Sequence, residues 1–222
     1  MIDVVRFDDV VVSVPGSGNA GPWSFDVPFG TVAALQTAPS EAELVARLCV
    51  GAVEPARGTV EVLGMVPGEL DRFGLLALRR RTGVAFQRTG LVSNLSLRDN
   101  LILPLVFGGR LDAGAAAAWV DRALDSLGLA ADADRRPSAL TREVRITAAV
   151  ARAALHGPEL LVVEHLTAGL SPGARAALVG WCRERCGSML LLVPGPDAVL
   201  LAHVDRWLDP VAAPPGGGHP PE

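Results

Sequence analysis

The sequence contains no lysine and no tyrosine, and all 20 of its basic residues are arginine. The absence of lysine excludes every phosphate-binding loop that relies on a lysine ammonium. The chain also lacks an excess of positive charge, since its net charge is −4. A chain of this charge has no electrostatic attraction for phosphate backbones, so we expect no nucleic-acid partner.

Long apolar runs and a basic leader are missing as well. No uninterrupted hydrophobic segment reaches the length needed to cross a bilayer, and the N-terminal segment MIDVVRFDDV carries acidic residues. The three cysteines fit a reducing compartment. Cys182 and Cys186 lie one helical turn apart, but no second ligand pair completes a zinc site, so we expect no metal. These absences predict a cytoplasmic protein.

Half of the 222 residues are hydrophobic, which is enough for one sizeable core. We expect a single domain over residues 1–210. The remaining segment, 211–222, reads VAAPPGGGHPPE. Its proline and glycine content predicts a disordered tail.

Two short apolar runs in the C-terminal third are typical of strands buried on both faces. They cover residues 159–164 and 188–193, and a helix is predicted between them over 172–185, with Ser171 as N-cap. Strand, helix and strand in this order indicate a parallel sheet, whose chemistry gathers beyond the carboxyl ends of its strands. The residues predicted to line that edge are Glu164, His165, Pro194 and Gly195.

The rest of the chain reads as alternating strands and helices. Strands are predicted over 4–14, 23–27, 31–35, 59–63 and 83–87, with a turn-rich loop over 13–22. Helices are predicted over 41–50, 75–81, 113–127 and 142–155. The mostly helical segment from about 89 to 155 is expected to form a helical subdomain inserted in an α/β core.

Several segments carry a resemblance to a known family. LVVEHLTAGLSP resembles a Walker B strand with its catalytic position and D-loop, PSALTREVRITAAVARA resembles a signature helix, and GVAFQRTGLVSNLSLRDNLILPL resembles a Q-loop with the helices after it. Over residues 7–208 the chain resembles the nucleotide-binding subunit of an ABC transporter. The resemblance implies an α/β, P-loop NTPase-like cassette: a mixed central sheet flanked by helices, an N-terminal antiparallel β part and a helical subdomain.

The same resemblance places the family's phosphate loop, Walker A, at residues 36–44, which read QTAPSEAEL. Such a loop needs glycines that direct backbone N–H groups at the phosphates, then a lysine, then a hydroxyl for magnesium. Here Gln36 opens the segment, Pro39 removes an N–H group, Ala42 stands for lysine and Glu43 stands for the hydroxyl. The resemblance therefore implies a degenerate Walker A motif.

Two glutamates in this segment place negative charge at the helix N-terminus, where the family binds a phosphate. Ser40 followed by Glu43 matches a capping box, so the helix can satisfy its own N-terminal N–H groups. Glu41 and Glu43 also complement the positive end of the helix dipole and would repel an anion. We therefore expect nucleotide binding to be lost and no cofactor to be required.

The other family positions also depart from the pattern that the resemblance implies. They are Val14 at the base-stacking position, Thr141, Arg142 and Glu143 in the signature, Glu164 at the magnesium-linked Walker B position, His165 at the catalytic glutamate, Ser171 in the D-loop and Gly195 at the switch histidine. Gln87 alone retains the family's polar residue. A plain structural interpretation stays open for three of them: Glu164 as a strand-end carboxylate, His165 as a half-buried loop histidine, and Gln87 as a locally bonded side chain.

Three functional hypotheses follow from the resemblance. The first is a non-hydrolytic scaffold or regulatory subunit, peripheral at the inner face of the membrane, that docks on a permease or pairs with an intact ABC ATPase subunit or with a second copy. The apolar segment 87–107 would suit such packing. The second is a weakly ATP-binding half of an asymmetric ATPase, with Mg²⁺ on Glu164 and His165 as base. The third is a chain that folds but has no task.

Overall fold

The computed structural model describes residues 3–107, 111–165, 169–196 and 198–210. The strands are β1 (Asp3–Val14), β2 (Gly18–Pro28), β3 (Val32–Gln36), β4 (Arg57–Val62), β5 (Thr82–Ala85), β6 (Leu160–Glu164), β7 (Ser188–Val193) and β8 (Arg206–Leu208). The helices are α1 (Pro39–Cys49), α2 (Arg72–Arg81), α3 (Leu97–Phe107), α4 (Ala113–Ser126), α5 (Arg142–Ala154), α6 (Pro172–Arg183) and α7 (Ala198–His203).

The described strands form two sheets. One has three strands in the order β2-β1-β4, paired antiparallel, and the other has five strands in the order β5-β6-β7-β3-β8, with every pairing parallel. The predicted α/β class and the N-terminal antiparallel part are confirmed. The antiparallel pairs lie in their own sheet, so the five central strands form a parallel sheet.

The buried strands divide their side chains between two cores. In β6, Leu161 and Val163 pack with the helices on one face, while Leu160 and Val162 pack with α1 and the antiparallel sheet on the other. β7 alternates in the same way, because successive side chains of a strand point to opposite faces. The continuous apolar runs seen in the sequence therefore reflect burial on both faces.

The predicted loop over residues 13–22 is wrong for most of its length. Strand β2 begins at Gly18, which pairs with Val14, so residues 15–17 form a tight turn between the two strands. Gly16 and Gly18 have positive φ angles of 77° and 88°. These angles are accessible to glycine without a steric penalty, so the glycines indicate a hairpin turn rather than a long loop.

The helical segment between β5 and β6 contains α3, α4 and α5. Leu97, Leu101 and Leu105 of α3 are buried within this core, so part of the apolar character of segment 87–107 is used internally. Near its C-terminus, α5 approaches β5 closely at Gly83. A Cβ atom on Gly83 would overlap the carbonyl oxygen of Ala153, which makes glycine necessary at this backbone contact.

No helix within the described part of the chain combines the length and hydrophobicity that a membrane crossing requires. The predicted disordered tail, 211–222, lies outside the described residues. The boundaries of the single domain and of the helical subdomain remain predictions.

Candidate functional site at the carboxyl ends of the parallel strands

Strands β3, β6 and β7 end at the same edge of the parallel sheet and bring their following residues together. Thr37 follows β3, and its N–H group donates to the carbonyl of Val193 at the end of β7. His165 follows β6, and its N–H group donates to the carbonyl of Leu192. The segments that follow β3 and β6, the two strands on either side of β7, are thus both hydrogen-bonded to β7. This edge, at the carboxyl ends of the strands, is where the site of a parallel sheet is expected.

The side chains of these two residues meet above β7. The hydroxyl Oγ1 of Thr37 lies 3.1 Å from Nε2 of His165. Both residues are buried, with exposed fractions of 4% and 7%. Burial lowers the pKa of the His165 imidazole below its ordinary value of 6.5, and a hydrogen bond with the backbone of Thr37 opposes the shift. The neutral imidazole is therefore the favoured form in this position.

The backbone at His165 adopts a conformation that favours glycine. Its φ angle is 45°, in the left-handed region, where non-glycine residues are uncommon and histidine is among the more tolerated. The bond to Thr37 and the backbone bond to β7 offset the strain. His165, which stands where the family has its catalytic glutamate, thus makes an internal hydrogen bond with Thr37.

Glu164 is the last residue of β6 and is 3% exposed. Its Oε2 accepts a hydrogen bond from the backbone N–H of Gln87 at 3.1 Å. Burial raises the pKa of the Glu164 carboxyl, although the bond from Gln87 works in the opposite direction. The structure brings Glu164 and Gln87 together, and it is the Gln87 backbone that makes the contact.

A cleft of about 270 Å³ opens above this carboxylate, and it is lined by Glu43, Arg47, Phe86, Gln87, Arg88 and Glu164. Glu43 and Arg47 form an ion pair of 2.5 Å along α1. Both side chains are about half exposed. The cleft therefore carries both signs of charge at its rim and a buried carboxylate at its floor.

The predicted capping box of Ser40 with Glu43 is wrong. The helix α1 begins at Pro39, two residues earlier than expected, with Ala38 at the N-cap. Oε2 of Glu41, three residues after this N-cap, accepts from the backbone N–H of Ala38 at 3.3 Å. Ser40 lies within the first turn, and Glu43 pairs with Arg47. Of the two glutamates predicted at the positive end of the helix, Glu41 lies in the first turn and Glu43 does not.

This early helix start changes the shape of the whole 36–44 segment. Gln36 ends β3 and Pro39 already begins α1, so only residues 37 and 38 connect strand and helix. Ala42 is 0% exposed and packs in the core beneath α1. The position that the resemblance assigns to lysine therefore points into the interior.

A second group of predicted residues lies at the beginnings of α5 and α6. Thr141 caps α5, because its Oγ1 accepts from the N–H of Val144 at 3.2 Å. The hydroxyl of Ser171 donates to Oε1 of Glu143 at 2.9 Å and makes no cap bond of its own. Arg142 is exposed on the first turn. Glu143 and Ser171 thus join the two helix starts.

The remaining predicted positions stand apart. Val14 is partly buried at the end of β1, where it pairs with Gly18 in the hairpin. Gly195 lies in the bend after β7, and a Cβ atom there would have nothing within 4 Å. Within the described residues, no three His, Cys, Asp or Glu side chains group closely enough to hold a metal ion.

Thr37 and Asn100 are among the buried polar residues to which the sequence assigned no role. Thr37 was part of the altered phosphate-loop segment but was given no role. Asn100 is 0% exposed, and its amide donates to the carbonyls of Val92, Leu95 and Ser96, while its oxygen accepts from the Val92 N–H at 2.7 Å. A lone asparagine in an apolar helix is a signal that could have identified the second residue, since buried amides need partners.

Comparison with known proteins places these features in a family, although no family model matches the sequence. The chain is 36% identical over 162 residues to the methionine import ATP-binding protein MetN 2 of Burkholderia mallei, an alignment that covers 72% of this chain and 41% of the relative. It is 33% identical over 149 residues to the macrolide export ATP-binding/permease protein MacB 1 of Aeromonas hydrophila, covering 66% and 23%. The chain thus spans less than half the length of these curated relatives.

Solved structures give the same fold. The dimeric ATP-binding cassette MJ0796 bound to ADP and Pi superimposes with a TM-score of 0.79 at 18% identity, covering 92% of this chain and 93% of the other. CbiO1 of Clostridium perfringens, part of the ABC transporter complex cbiONQ, gives 0.76 at 19% identity, covering 94% and 85%. By sequence and by fold, this chain belongs to the family of ABC transporter ATP-binding subunits.

Proposed function

We propose that this chain is an ABC-type subunit that neither binds nor hydrolyses ATP and that acts as a scaffold or regulatory partner of a permease, of an active ATP-binding subunit, or of both. The observation that carries the proposal is the closed N-terminus of α1. Glu41 accepts the Ala38 N–H, and Pro39 contributes no N–H at the first helical position. A phosphate at this helix end would meet a carboxylate instead of free N–H groups.

Two further features support the proposal. Ala42 is fully buried, and the chain has no lysine that could approach from elsewhere. The His165 imidazole is hydrogen-bonded to Thr37, and the Glu164 carboxylate is hydrogen-bonded to the Gln87 backbone. The polar side chains at these strand ends therefore have hydrogen-bond partners within the protein. The residues present do not fit a nucleotide with its magnesium ion.

The direct test is calorimetry of the purified chain with ATP and Mg²⁺, with an intact ABC ATP-binding subunit measured in parallel. We expect no saturable heat at millimolar nucleotide. The variant Glu41→Gln serves as a matched control, because it removes the charge and keeps an amide at the helix start. Saturable binding by the unaltered chain would overturn the proposal.

The partner half of the proposal needs its own experiment. A permease or an active ATP-binding subunit should copurify with the tagged full chain from the source cell. Copurification of neither would remove the scaffold role. The relatives named above act in methionine import and macrolide export, so the proposal assigns no transported substrate.

The half-ATPase alternative assigns chemistry to Glu164 and His165, whose buried side chains lie on adjacent residues. The double variant Glu164→Gln with His165→Asn, assembled with its partners, separates the two ideas. Unchanged transport would eliminate the half-ATPase. Loss of transport with the complex still assembled would favour it over the scaffold.

A further inference from the structure

A cleft of about 320 Å³ opens where the C-terminal end of α4 meets the first two turns of α5 and of α6. Its described lining includes Thr141 and Glu143, which belong to the segment that resembles the signature helix, and it includes no residue of the altered phosphate-loop segment 36–44. A molecule held in this cleft contacts three helices at once.

The walls of the cleft are largely apolar. They are formed by Leu127, Leu129, Val144, Ala174, Ala177 and Leu178. Leu129 and Leu178 are buried, whereas Ala177 is exposed at the surface. Small-molecule sites have volumes of about 300–1,000 Å³ and combine apolar walls with a few polar groups. The cleft lies near the lower end of this range, so it suits a small organic molecule with a compact apolar part.

Thr147 is the most buried polar side chain of the described lining. It is 8% exposed on α5, and within the described residues its hydroxyl has no hydrogen-bond partner. A threonine hydroxyl in or next to a helix commonly bonds to the carbonyl four residues earlier, as Thr82 does with Leu78 at 3.1 Å. Because buried polar groups are nearly always paired, the Thr147 hydroxyl is available to a polar group in the cleft.

Glu143 gives the cleft its charge, since it is the only charged residue of the described lining. Its Oε1 accepts from the uncharged Ser171 hydroxyl at 2.9 Å. The nearby Arg145 does not line the cleft and donates to the carbonyl of Leu140 at 2.6 Å. The N-terminus of α5 opposes the full negative charge of Glu143 with only about half a positive charge. The cleft therefore favours a cation over an anion.

Glu143 and Thr147 are four residues apart on α5, so their side chains lie on the same face of the helix. One ammonium group can reach both, because it carries three N–H donors. We propose that this cleft binds a small organic amine, with its ammonium group on Glu143 and Thr147 and its apolar part against Leu129 and Leu178. The inference goes beyond the proposed function, because a scaffold role does not require a small ligand.

The first experiment titrates cyclohexylamine, which is protonated at pH 7, onto the full chain and follows the indole N–H of Trp181 in ¹⁵N–¹H spectra. This indole donates to the hydroxyl of Ser126 on the cleft lining at 2.9 Å, so its resonance reports occupancy. We expect a saturable shift at millimolar amine. The indole of Trp119, which is 43% exposed on α4, serves as the internal control and should not move.

Two compounds of similar shape test the charge. Cyclohexanol should bind at least about five-fold more weakly than cyclohexylamine, because hydrogen bonds to a charged group are the stronger ones. Cyclohexanecarboxylate should not bind. The proposal is overturned if cyclohexylamine gives no saturable shift of Trp181, or if the three compounds bind equally.

The second experiment repeats the titration on variants of the lining. Glu143→Gln keeps an acceptor for Ser171 but removes the charge, and it should weaken cyclohexylamine binding at least about five-fold. Thr147→Val keeps the shape and should weaken it about three-fold. Ala177→Leu fills the mouth of the cleft from an exposed position and should abolish binding.

The matched controls for these variants lie on the antiparallel sheet. Thr59→Val and Glu61→Gln make the same chemical changes at exposed positions of β4 and should leave binding unchanged. Thermal unfolding of each variant establishes that it is folded. Unchanged binding in Glu143→Gln and Thr147→Val would contradict the inference, as would unchanged binding in Ala177→Leu.

Discussion

Thr37 and His165 are separated by 128 positions in the sequence, and their side chains form a 3.1 Å hydrogen bond above strand β7. The bond connects the residue after β3 to the residue after β6. In this way it joins the two connecting segments at the carboxyl edge of the sheet.

Removing the hydroxyl should therefore cost stability. Thr37→Val keeps the shape of the side chain but leaves the buried His165 Nε2 without its partner, and we expect the free energy of unfolding to fall by about 1–3 kcal/mol. Thr37→Ser keeps the hydroxyl and loses a methyl group, at a cost of about 0.8 kcal/mol. Urea denaturation measures both. A Thr37→Val variant as stable as the parent chain would show that the bond contributes nothing.

His165 should make stability depend on pH in a defined direction. Its pKa is lowered in the folded state, so the unfolded chain takes up the proton first as pH falls below 6.5. The stabilising effect of the neutral imidazole is complete above that value and is lost progressively below it. We expect the stability difference between the parent chain and His165→Asn to shrink between pH 7 and pH 5, measured by thermal unfolding. Asparagine is the matched choice because it tolerates the left-handed backbone.

The Glu164 carboxyl should make folding stability depend on pH in the opposite direction. Because burial raises its pKa, the folded chain retains the proton longer than the unfolded chain as pH rises above 4.5, and ionisation then costs stability. Glu164→Gln keeps an oxygen for the Gln87 N–H without the charge. We expect the variant to match or exceed the parent chain at pH 7 and to lose this advantage near pH 4.

Glu159 provides the control for that measurement. Its carboxylate pairs with Arg81 through two hydrogen bonds of 2.6 and 2.8 Å, and the bond to Arg81 lowers the pKa of the Glu159 carboxyl. This pair stabilises the fold above pH 4.5 and is lost as pH falls. Both partners are well exposed, so Glu159→Gln should cost no more than about 1 kcal/mol at pH 7. Equal pH trends for the two variants would contradict both assignments.

Among the polar residues away from the strand ends, Asn100 should lose the most stability on substitution. Asn100→Asp keeps the volume but places a carboxylate against the carbonyls of Val92 and Ser96, and each unsatisfied group costs about 1–3 kcal/mol. Asp99→Ala removes an exposed bond to Ser96 and should stay within about 1 kcal/mol. Chemical denaturation of the two variants gives the comparison. A smaller loss for Asn100→Asp than for Asp99→Ala would refute the structural role of the amide.

Much of the fold was predictable because burial leaves a pattern in the sequence. The strands β6 and β7 are apolar on both faces. The helix predicted over 113–127 is present as α4, and Asp112 caps it, with Oδ1 accepting from the Ala115 N–H at 2.9 Å. The hairpin of β1 and β2 was less visible. Its second strand begins with glycines and carries a proline at position 22, residues that are depleted in strands.

The site was only partly predictable, since contacts between distant residues leave little trace in one sequence. The sheet topology placed Glu164 and His165 correctly at the strand ends. The partner of His165 could not be predicted, because Thr37 follows a different strand and many threonines are buried with a local backbone bond instead. The start of α1 was misjudged because Ser40 with Glu43 and Ala38 with Glu41 offer the same spacing.

The backbone contact at Gly83 has a consequence for the position of α5. Where Gly83 meets the carbonyl of Ala153, the backbones of α5 and β5 are in direct contact, so the end of the helix cannot shift towards the strand that neighbours β6. The start of the same helix is joined to α6 through Glu143 and Ser171. Helix α5 is thus held at both ends, at its start by a side-chain hydrogen bond to the start of α6 and at its end by backbone contact with β5.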